Sequence, residues 1–224
     1  HHLPPGWTQL SSCDEAKLTI EILLNMVTGM DDELAAQGVI GETWRYNNTA
    51  YNYLKKILEI RTQKSLQEVT SDWLLEPLGM AKTYWEPRSQ LLPDNTHVTG
   101  LISTAGDLLR LGELILNNSN DLSPSSYLNS LNEPGCADNP AWNRCWWNNH
   151  GDFFRVPMRE NKKITGPATP GLPGDALPLR GALENLLLIV PSRTLVIART
   201  AVAPTTGRKP PRFESELWKI LELS

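Results

Sequence analysis

Apolar residues in the first half of the chain recur at the spacing of an α-helix. Ile20, Leu23, Leu24 and Val27 fall at i, i+3, i+4 and i+7, so the pattern predicts a helix over 19–30, ended by Gly29. A loop with Gly38 and Gly41 follows over 31–45. A second helix is predicted over 49–61, with Tyr51, Leu54 and Leu58 on one side. Ser65 and Glu68 stand at capping-box spacing and open a third helix, which Pro77 is expected to stop because it lacks an N–H and crowds the preceding turn. Thr104 and Asp107 repeat such a cap before 108–116, where Leu108, Leu111 and Ile115 share a side. The first half therefore reads as mostly helical.

The second half changes character. Residues 117–149 are rich in Asn, Ser and Pro and read as loops, with one short helix near Tyr127. Residues 166–178 hold four prolines and three glycines, which excludes regular structure there; a lid, a linker and a surface loop without function all fit. Two apolar, partly β-branched runs at 186–190 and 195–201 flank Pro191-Ser192-Arg193-Thr194 and predict an antiparallel hairpin. A final helix is predicted over 214–223 with Leu217, Ile220 and Leu221 facing inward. Helices first, strands late and a terminal helix indicate a single α+β domain over 1–224.

Composition narrows the function classes. The 40% hydrophobic and 21% charged residues suit a folded domain, and the net charge of −4 gives no electrostatic reason to expect a nucleic-acid partner. There is no long uncharged apolar run, hence no expected membrane span. No C-x-x-C pair occurs, so a zinc site is not supported, and no cofactor is expected. Cys136 and Cys145 flank a turn-rich stretch and fit either a small disulfide loop or two reduced thiols, with Cys13 left over.

Five segments, in order, carry a resemblance. The run LTIEILLNMVTGM at 18–30 looks like the "ITIRHLLTHTSGL" helix of the serine β-lactamase, D-Ala-D-Ala carboxypeptidase and esterase superfamily, and WRYNNTAY at 44–51 looks like its "FxYSNxGY" segment. EPLGM at 76–80 and GLISTAGDL at 100–108 are similar to "EPLGM" and "GGLxSTAxDL". The strand at 186–190 with Pro191-Ser192-Arg193 resembles the family's late strand and its "IPE/DPE" turn. Any one of these arises readily by chance, whereas five in the correct order are specific. The resemblance, to class C β-lactamase-like and penicillin-binding-protein-like chains, implies a β-lactamase/transpeptidase-like fold: a helical region, an antiparallel sheet and a C-terminal helix. It also implies a periplasmic or secreted location and a small-molecule or peptide-like acyl substrate.

In that family a serine attacks an amide, lactam or ester carbonyl and forms an acyl-enzyme that water later hydrolyses. A serine hydroxyl needs a neighbouring base, and the Lys of Ser-x-x-Lys and the Tyr of Tyr-x-Asn share that role. Tyr46 matches the motif tyrosine and is the candidate catalytic residue; a phenol ionises at about pH 10, and nearby ammonium groups lower that value. Asn48 matches the motif asparagine, whose amide bonds a substrate carbonyl or the lysine. Taken without its flanks, the pair reads as a buried tyrosine with Asn48 as a helix N-cap.

The third motif, Lys/His-Thr-Gly or Trp-Gly-Gly, corresponds to PLRGALE at 178–184. Gly181 stands for the motif glycine, where close approach of substrate excludes a side chain. Leu179 replaces the usual cation or aromatic, Arg180 is displaced by one, and an N–H within Ala182 to Glu184 is the candidate for half of an oxyanion hole. These departures favour an esterase or amidase over a true β-lactamase.

No lysine in the chain has a serine three residues before it, and Ser65 and Ser103 stand at helix starts. His1 to Trp7 resembles a "YLPxW" stretch that follows Ser-x-x-Lys in the family, so the nucleophile, the central helix and the first strands are expected upstream of His1. Such a piece is expected to expose apolar surface and to associate with the missing segment or with itself. The alternatives are a non-catalytic, penicillin-binding-like scaffold or ligand-binding relative, and an unrelated helical binding protein.

Overall fold

The computed structural model describes residues 2–117, 129–131, 133–149, 151–155, 162–201 and 213–222. The helix expected near Tyr127 lies outside them. The described residues fall into two compact units, one holding 2–103 with 136–138 and 162, the other built on the remainder.

The first unit begins with α1 (Ser12–Glu15) and α2 (Ile20–Leu24), each opened by a side-chain cap, Ser11 and Thr19. The helix expected over 19–30 stops early. Asn25 to Met30 are buried at every position, whereas an amphipathic helix would bury one side. The chain turns at Met26 (φ 56°) and Gly29 (φ 68°), and its carbonyls accept from the following loop instead of from a next helical turn. Arg45 donates to Met26 O at 2.9 Å, Gly41 to Val27 O at 2.8 Å, and Gln37 and Gly38 to Gly29 O at 2.8 and 3.0 Å. A Cβ on Gly29 would sit 2.7 Å from the Gly38 carbonyl oxygen, so this crossing needs glycine.

The next helix is α3 (Asn48–Thr62), closed by Gln63 in the left-handed region. Its buried side carries Ala50, Tyr53 and Ile57, which join Leu23, Met30, Leu34 and Leu92 in one core. Tyr51, Leu54 and Leu58, expected on one side, lie on a half-exposed side next to the buried one. The Ser65–Glu68 capping box forms as expected and opens α4 (Leu66–Thr70). Pro77 does not end the run. A π turn at Ser71–Leu75 shifts the pairing and carries the chain past the missing N–H into α5 (Glu76–Leu78), and left-handed Gly79 (φ 65°) ends it. The expectation of a mostly helical first half also needs correction, because β1 (Tyr84–Leu91) and β2 (His97–Ile102) form an antiparallel hairpin with a register irregularity between Pro87 and Leu91.

The second unit opens with α6 (Ala105–Asn117), where the Asp107 N–H donates to the capping Thr104 Oγ1 at 3.2 Å. Two short hairpins follow, β3 (Trp142–Asn143) with β4 (Trp146–Trp147) and β5 (Phe153–Arg155) with β6 (Lys163–Thr165). The three-stranded sheet is β7 (Leu177–Arg180), β8 (Leu186–Val190) and β9 (Leu195–Arg199), antiparallel with β8 central. The all-apolar β8 sequence follows from burial on both faces. Leu187 and Ile189 pack with Ile115 of α6 on one side, while Leu186, Leu188 and Val190 pack with Leu172, Ala176 and Trp218 on the other. Trp218 belongs to α7 (Phe213–Glu222) and is 4% exposed, whereas Ile220, expected inside, is 66% exposed. Residues two apart on a helix do not share a side, so burying Trp218 turns Ile220 outward, and Leu221, also expected inside, is 39% exposed. Cys13, Cys136 and Cys145 are thiols, so the disulfide weighed for Cys136 and Cys145 is not formed. No described helix is long and apolar enough to cross a membrane.

Candidate active site

The turn that carries Tyr46 is fixed on both sides. Before it, Trp44 is fully buried and its N–H donates to Asp138 Oδ2 at 2.9 Å. The Arg45 N–H is held on Met26 O, and its guanidinium lies 3.6 Å from Asp32. After it, Asn47 is 1% exposed, sits in extended backbone and caps α3. Its Oδ1 accepts from the Ala50 N–H at 2.8 Å, while its Nδ2 donates to Asp31 O at 2.7 Å and Met30 O at 3.3 Å. Tyr46 itself is half-buried.

Asn48 follows as the first residue of α3, exposed, with its carbonyl accepting from Asn52 Nδ2 at 2.7 Å. The helix cap is therefore Asn47 and not Asn48, a residue that sequence reasoning passed over. Two adjacent asparagines offer the same cap chemistry, and only the extended backbone at Asn47 selects between them. The arrangement brings Tyr46 and Asn48 together on one rigid turn, one half-buried phenol and one exposed amide.

Arg180, Gly181 and Ala182 belong to the second unit, at the end of β7 and the start of its turn into β8. The Arg180 guanidinium lies 5.4 Å from the Trp147 ring centre, and its Nη2 donates to Thr169 Oγ1. A cation stacked on an indole and tied to a hydroxyl is held in place, not solvated freely. Gly181 has ordinary extended backbone (φ −102°), and its N–H donates to Asn185 O at 2.8 Å. Ala182 is exposed and begins a one-turn 3₁₀ segment in which Leu183 takes a left-handed conformation (φ 59°). A non-glycine residue there carries backbone strain on the order of 1–3 kcal/mol. The Tyr46 turn and the Arg180–Ala182 turn thus lie in different units, each ordered by its own neighbours.

Lys55 is a second residue that the sequence reading missed. It stands one helical turn after Tyr51 on α3, its Nζ donating to Asn52 Oδ1 at 2.8 Å and to Thr99 O at 2.5 Å. Burial first, then the Arg88 guanidinium, pushes its amine down to about 8. Its place on the side of Tyr51, Leu54 and Leu58 was the available signal.

Comparison with known proteins agrees with this architecture. The chain resembles β-lactamase/D-alanine carboxypeptidase from Yersinia pestis, solved with citrate, at a TM-score of 0.66 and 14% identity, covering 99% of this chain and 74% of that one. EstCE1, a hydrolase with promiscuous acyltransferase activity, matches at 0.62 and 14%, covering 90% and 71%. A β-lactamase from Mycobacterium bovis matches at 0.61 and 16%, covering 80% and 64%. At such identities the likeness shows the fold, and the chain spans only 57% to 67% of the length of several structures it matches. None of the curated proteins compared matches it. The Beta-lactamase family matches residues 1–140, more than half of the chain, and to that family of hydrolases the chain belongs.

Proposed function

We propose that this chain supplies one wall of an acyl-transfer site, with Tyr46 as proton shuttle and Asn48 as substrate-orienting amide. The observation that supports the reading is the Tyr46 turn, whose backbone is held by Trp44 before it and Asn47 after it. Preorganised groups of this kind lower a barrier because they need no reordering during reaction. In this reading residues 1–224 belong to one β-lactamase-like domain, and the serine and lysine of Ser-x-x-Lys lie outside them.

The steps follow from the proton balance. Tyr46, as phenolate, takes the proton of the serine hydroxyl while the serine oxygen bonds to the substrate carbonyl carbon. Collapse of the tetrahedral intermediate breaks the carbonyl bond to the leaving nitrogen or oxygen, and Tyr46 returns the proton to it. Water then hydrolyses the ester, releasing the acid and restoring the serine. Asn48 donates to a carbonyl of the substrate and fixes its approach. Arg180, Gly181 and Ala182 are the further substrate-binding candidates, carried by their place at the motif position alone.

The deciding experiment labels the full-length protein with a fluorescent penicillin and with a fluorophosphonate. Labelling that falls by roughly 10²–10⁴-fold in Tyr46→Phe supports the shuttle, the range general acid–base groups contribute. No labelling and no ester hydrolysis by the unaltered protein would sink it.

A further inference from the structure

A groove of about 290 Å³ lies in the first unit between α2, α3, α4 and β1. Its walls include Ile20, Leu24, Leu54, Leu58, Tyr51 and Trp85, so most of the surface is apolar or aromatic. Ile20 and Leu58 are 39% and 38% exposed, which leaves the groove open to solvent. None of Tyr46, Asn48, Arg180, Gly181 or Ala182 lines it.

One cation stands in this wall. Lys55 Nζ lies 4.8 Å from the Trp85 ring centre and 5.8 Å from that of Tyr51. The indole is held by its own Nε1–H, which donates to Thr70 Oγ1 at 2.8 Å. The two acceptors of Lys55, Asn52 Oδ1 and Thr99 O, are both neutral. Among the described residues no carboxylate pairs with it, whereas Lys17, Lys56, Lys64 and Lys219 pair with Asp14, Asp94, Asp72 and Glu216. An ammonium has three N–H donors, and the two neutral acceptors take two. The charge therefore meets two aromatic faces but no counter-ion, is half-buried and lies beside an apolar groove, where an anion gains from charge-assisted bonding.

We propose that this groove binds a small monocarboxylate with an aryl or alkyl body, its carboxylate on Lys55 Nζ and its body against Leu54, Leu58 and Trp85. Charge complementarity selects the headgroup, because a neutral ligand would leave the ammonium as it is while a carboxylate neutralises it. The apolar lining selects the body, and the volume limits it to a small molecule. The low basicity of Lys55 agrees with an amine that lacks a counter-ion. A bound carboxylate would raise it.

The test titrates the full chain with 4-phenylbutyrate, following backbone amide shifts by NMR and heats by calorimetry. Saturable binding at one site, with the largest shifts at Tyr51, Lys55 and Trp85, is the expected result. Lys55→Met, which keeps the apolar stem, weakens it at least tenfold, and so does replacing the probe by neutral 4-phenylbutanamide on the unaltered protein. Equal affinity for acid and amide overturns the proposal, as do shifts centred elsewhere or no binding at millimolar probe. The amide comparison decides the matter should Lys55→Met fail to fold. Concentration-dependent self-association abolished by Leu58→Asp would give the groove to a second copy and likewise overturn it.

Discussion

The Trp44 N–H donates to the Asp138 carboxylate at 2.9 Å across 94 residues of sequence, two positions ahead of Tyr46. Trp44 is fully buried, so that N–H has no water to turn to once the acceptor is gone. Asp138→Ala is expected to destabilise the protein by about 1–3 kcal/mol, the cost of orphaning a buried donor. Asp138→Asn keeps an acceptor oxygen and should lose less. Urea unfolding of the three proteins gives the comparison, and an alanine variant as stable as the parent would show that the bond is dispensable. In the acyl-transfer reading the alanine variant also slows labelling without altering any reacting group.

Asn47 and Asn48 are neighbours in sequence with opposite expected behaviour. Asn47 caps α3 with its oxygen and bonds two backbone carbonyls with its amide, at 1% exposure. Asn47→Ala loses the cap, worth about 1 kcal/mol, and leaves the Met30 and Asp31 carbonyls short of a donor, so a total near 2–3 kcal/mol is expected. Asn47→Asp keeps the cap but sets a carboxylate against those carbonyls, and recovers only part of the loss. Asn48→Ala, at an exposed first helical position, should change stability by less than about 0.5 kcal/mol. Thermal melts distinguish these cases. A reversed order of the two alanine variants would contradict the cap assignment.

What the sequence revealed depended on how local the deciding interaction is. The buried β8 strand was legible because burial on both faces demands five apolar residues in a row. The Ser65–Glu68 box was legible because its partners lie three residues apart. The β1–β2 hairpin was not, since YWEPRSQL contains a proline and two charges, is mostly exposed and shows no apolar alternation. Its strands are fixed by pairing and by an irregular register between Pro87 and Leu91. Tyr46 was singled out through the order of its flanking segments. Lys55 escaped because Trp85 and Thr99, which define its surroundings, come from strands 30 or more residues away, and Thr99 lies at a separation of 44. Asn47 escaped because a backbone torsion, not a residue type, chooses the cap.

Gly112 marks the closest packing of α6 on the sheet. A Cβ there would lie 2.3 Å from Val196 Cγ1 and 3.0 Å from Leu187 Cδ1, and Gly112 is buried within the helix. Helix propensity alone favours Gly112→Ala by about 1 kcal/mol, yet overpacking costs roughly 1–3 kcal/mol, so net destabilisation is expected. Trimming the neighbour should change the sign of the interaction. The double variant with Val196→Ala is predicted to be more stable than the sum of the two single changes, because the new methyl fills the space the valine vacates. Denaturant titrations of the four proteins measure the coupling, and strict additivity would place the contact elsewhere.

Lys55 gives the protein a pH dependence of stability with a defined sign. Burial, and secondarily Arg88, lowers its folded value from 10.5 to about 8, so between those values the unfolded chain binds more protons than the folded one. Stability therefore rises as pH climbs through this window, and the cost of burying the charged amine is fully present below pH 8. Tyr53 acts in the opposite direction, because burial, then Asp94, raises its value above 10.0; the clean window is therefore pH 8 to 10. Lys55→Met removes the titrating group while keeping most of the stem. Chemical unfolding of both proteins in half-unit pH steps gives a stability difference that cancels the groups they share. The variant's advantage over the parent is expected to be largest below pH 8 and to shrink steadily towards pH 10. A difference that stays flat across this range would mean that Lys55 titrates like an exposed lysine and that its burial carries no electrostatic cost.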